Sequence, residues 1–238
     1  NQGVVSLIGV DALAASDTYR YGYDGEVIAL HDRPPTGLLV ARAAYTSLDS
    51  GGFTVNWLEN DATLTVVNYI VLTSSNVKVT QTTMPADLNA FSITGIVFTP
   101  QCGMVLSHCA AKSTQDTPVV EDLWSLGAFS TGGGSGVGLT QRAMSNRDSD
   151  AQNPTLSSHS VSHDEVFQSL NSTGPVQGEG RVTSADVDTL NLIMDAPEPV
   201  GGSFATVLLL GSGIVQVQRE APVSSWARSW SGARQGWR

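Results

Sequence analysis

The chain has 238 residues, of which 41% are hydrophobic and only 14% charged, with a formal net charge of −10. That length supports one large domain or two small ones with a real core. The acidic balance argues against nucleic acid as a partner for the body of the protein, and no apolar run reaches the roughly 18 residues a membrane span needs. With so few charges the surface must be built from Ser, Thr, Asn, Gln and Gly, and 24 glycines and ten prolines supply many turns. This is the composition of a β-rich protein rather than a helical enzyme.

Residues 4–16 are apolar without clean alternation, and their surroundings favour a strand. In DTYRYGYDGEV the tyrosines at 19, 21 and 23 keep a period of two, which puts all three on one strand face. Such a ladder reads as half-buried sheet packing, with a ligand platform as the sharper alternative. Asp24-Gly25 is a hairpin signal, and GEVIALHD reads as the returning strand. After a turn at Pro34-Pro35, GLLVARAAYTS is another strand. In DSGGFTVNW, Phe53, Val55 and Trp57 alternate with polar residues and are expected to face a core. NYIVL at residues 68–72 suits a central buried strand, and VKVTQTT at 77–83 an exposed or edge strand. Residues 84–89, MPADLN, are the best candidate for a domain boundary.

A second unit opens with FSITGIVFTPQCGMVLSHC, read as two paired strands turning at Thr99-Pro100. Cys102 and Cys109 lie seven apart and are read as free thiols. The polar run 145–163 reads as a surface loop holding a short strand. VFQSL and a Gly/Pro loop at 172–180 then lead into RVTSADVDTLNLIMD.

This last stretch echoes an earlier one. Thr46-Ser47-Leu48-Asp49 matches Thr183-Ser184-Ala185-Asp186, and Phe53, Val55 and Trp57 match Leu190, Leu192 and Met194, at an offset of 137. One residue later, Ile70-Val71-Leu72 matches Leu208-Leu209-Leu210, and Val77 and Val79 match Val215 and Val217. Retention of the apolar phase through three strands favours a tandem duplication. Nothing before Val4 answers to the FSITGIVFTP…GMVLS pair. The first unit is therefore expected to lack its opening strands, its edge being closed by residues outside this sequence or by another chain.

The expected architecture is all-β: two related antiparallel β-sandwich units in tandem, at 1–84 and 91–218, followed by an extension at 219–238. That extension holds four of the twelve Lys/Arg residues, one acid and three of the five tryptophans, a net +3. Trp226, Arg228, Trp230, Arg234 and Trp237 are the candidate partner-docking residues, because exposed Trp is costly and Trp/Arg anchors dominate interface energies.

Chemical motifs are weak. His159-x-x-x-His163 lacks a helical context, and on a strand its two rings lie roughly 13 Å apart. Gly132 to Gly138 carries no GK[ST] and no strand–helix context. No catalytic, cofactor or metal residues are assigned, and no enzymatic activity is expected.

LDSGGFTVNW (residues 48–57), NYIVL, SITGIVFTP (residues 92–100) and LLLGSG (residues 208–213) together resemble a β-sandwich module of tailed-bacteriophage virion proteins. That module shows F-D-x-D-G-F-T-L-N-W-T, Y-L-A-L-G-G and an upstream I-T-G-x-G-F-x-P strand. The resemblance covers most of residues 42–218; the second copy lacks the Trp and the G-F-T, and the order starts mid-module. It implies a structural, oligomeric component of a virion without a cofactor, tail-associated (fibre, tail tip or baseplate) in preference to capsid decoration. The partners implied are other virion structural proteins and a host-surface glycan. The rival readings are a carbohydrate-binding module or glycan depolymerase, using the tyrosine face or the 145–163 loop, and a secreted adhesin.

Overall fold

The computed structural model describes residues 2–10, 17–32, 37–50, 52–60, 67, 72–73, 76–110, 119–132, 138–151, 156–171, 173–198, 202–212 and 216–217. The described residues form strands and no helix, and every strand pairing is antiparallel. The first third of the chain supplies β1 (Val4–Val10), β2 (Asp17–Tyr23), β3 (Ile28–His31), β4 (Leu39–Asp49), β5 (Gly52–Glu59), β6 (Leu72–Thr73) and β7 (Val77–Thr83). There follow β8 (Ala90–Thr94), β9 (Cys102–Ser107), β10 (Val119–Val120), β11 (Asp122–Ser130), β12 (Thr140–Asp148) and β13 (Ser157–Ser162). The last are β14 (Phe167–Leu170), β15 (Val176–Asp186), β16 (Thr189–Ala196), β17 (Phe204–Leu210) and β18 (Gln216–Val217).

Two sheets make the main body. A six-stranded sheet runs β13-β12-β11-β9-β17-β7, and a four-stranded sheet runs β14-β15-β16-β8. Alternation along β16 and β17 sends Leu190, Leu192 and Met194 from one sheet, and Ala205, Val207 and Leu209 from the other, into one shared core. The arrangement is sandwich-like. At Gly127 the sheets approach so closely that an added Cβ would overlap the Val166 carbonyl at the entry to β14.

The strand-by-strand expectations hold for β1, β2, β4 and β5, and three connections differ. Asp24-Gly25 is not a hairpin, because β2 pairs with β1 and β10 whereas β3 pairs with β4 in another sheet. Glu26 meets Arg42 at 3.3 Å and the Val27 N–H donates to the Ala43 carbonyl, which turns the chain toward β4. The FSITG…GMVLS pair is likewise split: β8 joins β16, and β9 joins β11 and β17. Between them Ile96 and Phe98 are buried as the chain crosses the core, with Gly95 and Val97 at positive φ. Finally, the polar run 145–163 holds the expected short strand as β13, but its first residues, 145–148, belong to β12, with which β13 pairs antiparallel. Its inward Ser145 and Arg147 are buried polar positions that hydropathy cannot flag. Cys102 and Cys109 are free thiols, the latter buried.

The first third also forms β1-β2-β10, β3-β4-β5 and the β6-β18 pair. Its registers recur in the main body. The β4–β5 hairpin spans Leu39–Asp49 and Gly52–Glu59, and β15–β16 spans Val176–Asp186 and Thr189–Ala196, a constant offset of 137. Both hairpins break register at the same places, between Arg42/Ala43 and Tyr45/Ser47 in one, and between Glu179/Gly180 and Val182/Ser184 in the other. Each break leaves one residue unpaired, Thr46 and Leu58 here, Thr183 and Asp195 there. The β1–β2 register (Val4↔Tyr23) recurs in β12–β13 (Ala143↔Ser162), now at 139.

Side chains repeat with the strands. The Gln2 amide holds the Tyr45 backbone at both N–H (2.6 Å) and C=O (3.2 Å). Gln141 holds Val182 in the same way, at 2.7 and 3.0 Å. At the hairpin tips Asp49 accepts from Ser47 and Thr54, and Asp186 from Ser184 and Asn191. The T-S-x-D match is thus a bulged Thr followed by a carboxylate that ties off the turn.

Strands are also exchanged along the sequence. β7, placed by sequence in the unit 1–84, forms the edge of the six-stranded sheet beside β17 (Val77↔Leu210). Conversely β18 pairs with β6 (Val217↔Leu72). Met84 follows β7 into the main core, its N–H donating to the Ser203 carbonyl.

Two outcomes are expected. Gly127→Ala will force the sheets apart and cost more than about 3 kcal/mol by chemical denaturation, since backbone rather than a movable side chain is in the way. A fragment 76–218 will remain monomeric by gel filtration with a β-sheet circular dichroism spectrum. A fragment 85–218, which leaves the edge of β17 unpaired, will aggregate.

Candidate interaction surface

The repeated hairpin has one inner face in two environments. In β15–β16, Val182, Leu190, Leu192 and Met194 are buried against the six-stranded sheet. Their counterparts in β4–β5 are Tyr45, Phe53, Val55 and Trp57. Trp57 is 40% exposed where Met194 is 1% exposed, and Tyr45 is 37% exposed where Val182 is 1% exposed. Phe53 and Val55 are half-buried. Beside them Leu48 and Leu58 are exposed. The expectation that Phe53, Val55 and Trp57 fill a core is therefore met only in part. The alternation is that of a core strand, yet among the described residues this face is less completely covered than that of β15–β16.

The edge differs too. In the four-stranded sheet, β8 lies along β16, with Leu190↔Ile93 and Leu192↔Phe91. Among the described residues, β5 is the last strand of the sheet β3-β4-β5. Its sequence GFTVNWLE holds neither proline nor lysine, the residues that commonly blunt an exposed edge. Asp49 lies at one end of this edge and Glu59 at the other, the latter 3.8 Å from the Arg42 guanidinium.

The tyrosine ladder is not a platform. Tyr21 and Tyr23 are buried in a small cluster with Ala29. His31 stacks on Tyr21 with ring centroids 3.5 Å apart, and Tyr21 donates to the Gly37 carbonyl at 2.8 Å. The Gly37 carbonyl also meets His31 Nδ1. A carbonyl only accepts, so Nδ1 carries the proton and Nε2 accepts from the Tyr23 hydroxyl at 2.7 Å. This is structural packing.

A polar seam joins the first third to the main body. Thr18 donates through its N–H to Asp150 and through its hydroxyl to the Asp148 carbonyl. Arg20 donates to the Glu121 carbonyl, and Arg147 pairs with the Glu121 carboxylate while donating to the Leu170 carbonyl. Burial, with the Asp148 charge added, raises Asp122 to about 6, and the nearby Arg20 opposes this. Burial likewise pushes the Cys109 thiol well above its ordinary range, so it is an unreactive packing residue.

Glu165 is the residue that spacing alone did not single out. It stands at the offset of 139 from Glu26, and both are buried at the crossing into the next strand. Glu26 meets Arg42 there; the position equivalent to Arg42 is Glu179. Without that cation, burial and then the charges of Asp195 and Glu179 raise Glu165 to about 7, against the opposing pull of Arg181. Comparing Arg42 with Glu179 at the known offset would have exposed the charge reversal.

His159 lies on β13, at the sheet edge. The docking residues Trp226, Arg228, Trp230, Arg234 and Trp237 lie outside the described residues. Among the described residues there is no cluster of His, Cys, Asp or Glu able to hold a metal. Searches for similar proteins found no matching family model, no matching curated protein and no matching solved structure.

The pH consequence has a definite sign. A carboxyl whose folded pKa lies above its unfolded value binds more protons when folded, so stability falls as pH rises through the interval from about 4.5 to about 7. Glu165→Gln is therefore expected to raise the melting temperature at pH 8 and leave it nearly unchanged at pH 4.5, measured by differential scanning calorimetry.

Proposed function

We propose that this chain is a non-enzymatic structural component of a bacteriophage particle, tail-associated (fibre, tail tip or baseplate). In this reading two tandem copies of one β-sandwich module serve as rigid building material. The observation that carries it is the doubly bulged hairpin, present twice in the same register, with its inner face fully covered once and partly exposed once. A protein whose repeated module keeps a core-type face exposed is suited to assembly. Divergence of apolar identities at constant phase, Trp57 against Met194 and Phe53 against Leu190, fits retention of packing rather than chemistry. The resemblance of LDSGGFTVNW and SITGIVFTP to phage virion modules supplies the setting, and with it a location in the virion beside other structural proteins.

The residues 219–238, basic and Trp-rich beside a body of net charge −13, are assigned the role of anchor into an acidic, apolar groove on a neighbour. Burial of Tyr21 and Tyr23 removes the platform on which a glycan-binding reading of the ladder would rest. Deleting 219–238 is expected to leave the melting temperature within a degree or two of the full chain and to abolish incorporation into particles. A truncated protein that still incorporates normally overturns the anchor. Quantitative mass spectrometry of particles is expected to count six to a few dozen copies; hundreds would move the assignment to capsid decoration.

A further inference from the structure

We propose that Glu165 and Asp195 share one proton and so form a pH-operated latch, which holds the β13–β14 crossing against the β15–β16 bulge and releases it when the proton is lost. The proposal goes beyond the virion reading and does not depend on it. Its basis is the geometry of the crossing. The Val166 N–H donates to the Gly180 carbonyl and Phe167 stands opposite Gly180, which sets Glu165 beside the register break between Glu179 and Gly180. Asp195, the residue that this break leaves unpaired, comes within hydrogen-bonding reach of the Glu165 carboxyl. Glu165 is buried, and its Oε2 meets no donor among the described residues. The donors nearby are committed elsewhere, Arg181 Nε to Asp195 at 2.6 Å and the Gln168 amide to Glu179 at 3.0 Å. Two carboxyls in contact, one with a buried oxygen lacking a donor, are satisfied by one proton between them.

The corresponding crossing into β3 shows the alternative. There the Arg42 guanidinium bridges Glu26 and Glu59, at 3.3 and 3.8 Å, and an arginine stays charged at every pH of interest. At the second crossing Glu179 stands in the place of Arg42, so the bridge is a proton and can be titrated. Other charges lie apart. β11 carries only Asp122, which sits by Arg20 and Asp148. On β12, Arg142 is exposed and Arg147 is bound to Glu121 and to the Leu170 carbonyl at the far end of β14. His159 on β13 and His163 and Asp164 on the crossing are exposed. Glu198, past β16, takes the Ser169 hydroxyl at 2.6 Å. With the proton gone, three carboxylates face the Arg181 guanidinium. Hydrating Glu165 costs least by swinging residues 163–166 outward. This gives up the Val166–Gly180 and Asp164–Ser162 bonds but leaves Phe167–Leu170 buried and paired. The Val166 carbonyl is also where the sheets press on Gly127, so the latch acts at the joint between the layers.

The test reads amide hydrogen exchange of the full chain by NMR, corrected at each pH for the base catalysis of exchange itself, together with the carbon-13 shift of the Glu165 carboxyl. Protection of the Val166 amide is expected to fall at least about tenfold between about pH 5 and pH 7.5 and to level off above, with the Glu165 carboxyl titrating in the same interval. That amide is expected to be less protected than those of Leu190 and Leu192 and nearly insensitive to low urea, because its opening exposes little surface. In Glu165→Gln, whose side-chain amide still donates to Asp195, the step disappears; Asp122→Asn leaves it in place. A chain with no step overturns the proposal, as does a step that survives in Glu165→Gln or vanishes in Asp122→Asn. A Val166 amide as protected as those of Leu190 and Leu192, with the same urea dependence, opens only with the whole fold and overturns it too. Should Glu165→Gln fail to fold, the carboxyl shift of the unsubstituted chain decides: a Glu165 that ionises in the ordinary carboxylate range refutes the shared proton.

Discussion

The doubly bulged hairpin is the constraint on which the rest of the structure depends. Two unpaired residues in each hairpin bend and twist it, which lets its inner face lie across a second sheet. The bulge at Thr46 and Thr183 would leave backbone groups unmatched, and a glutamine (Gln2 just ahead of β1, Gln141 on β12) bonds the preceding residue at both N–H and C=O. Because Gln141 reaches from β12 in one sheet to β15 in the other, this pair of bonds also ties the two layers together. Apolar contacts then fill in around a geometry already set by polar ones.

Charge is arranged around the same recurring frame and differs between its two occurrences. A buried glutamate sits at the crossing into β3 and into β14. In the first case an arginine neutralises it; in the second a glutamate stands in the arginine's place, and Arg181, bound to Asp195 at 2.6 Å, offers partial compensation. Buried charge without a close partner costs several kcal/mol unless the group takes up a proton, and the raised Glu165 is that outcome.

Much of this was legible in the chain. The period-two alternation of Phe53-Val55-Trp57 and Leu190-Leu192-Met194 located both hairpins, and the T-S-x-D match located their tips. The strand partners were not legible, because alternation says which residues share a face but not which strand lies beside them. For that reason Asp24-Gly25 looked like a hairpin when Glu26 and Val27 in fact bind β4, and FSITG looked paired with GMVLS when the chain crosses the core between them. Within 145–163 the short strand was legible, but its pairing with β12 was not, since the end of β12 buries Arg147 and Ser145, which hydropathy reads as exposed. The exposed face on β5 was not legible: alternation marks Phe53, Val55 and Trp57 as core-facing, and only the exposure of Trp57 and Tyr45 shows how far that face departs from a core.

The exchange of strands has a consequence for how the chain comes into being. Thr83 finds its partner at Phe204, and Leu72 at Val217. During synthesis from the N-terminus, β6 and β7 emerge long before the segments that complete them. Local hairpins such as β4–β5 form early, while the pairings that close the structure pay the entropy of distant contacts last. The molecule therefore becomes one cooperative body only when nearly the whole chain has left the ribosome, and a ribosome that stalls short of residue 204 leaves β7 with no sheet to join.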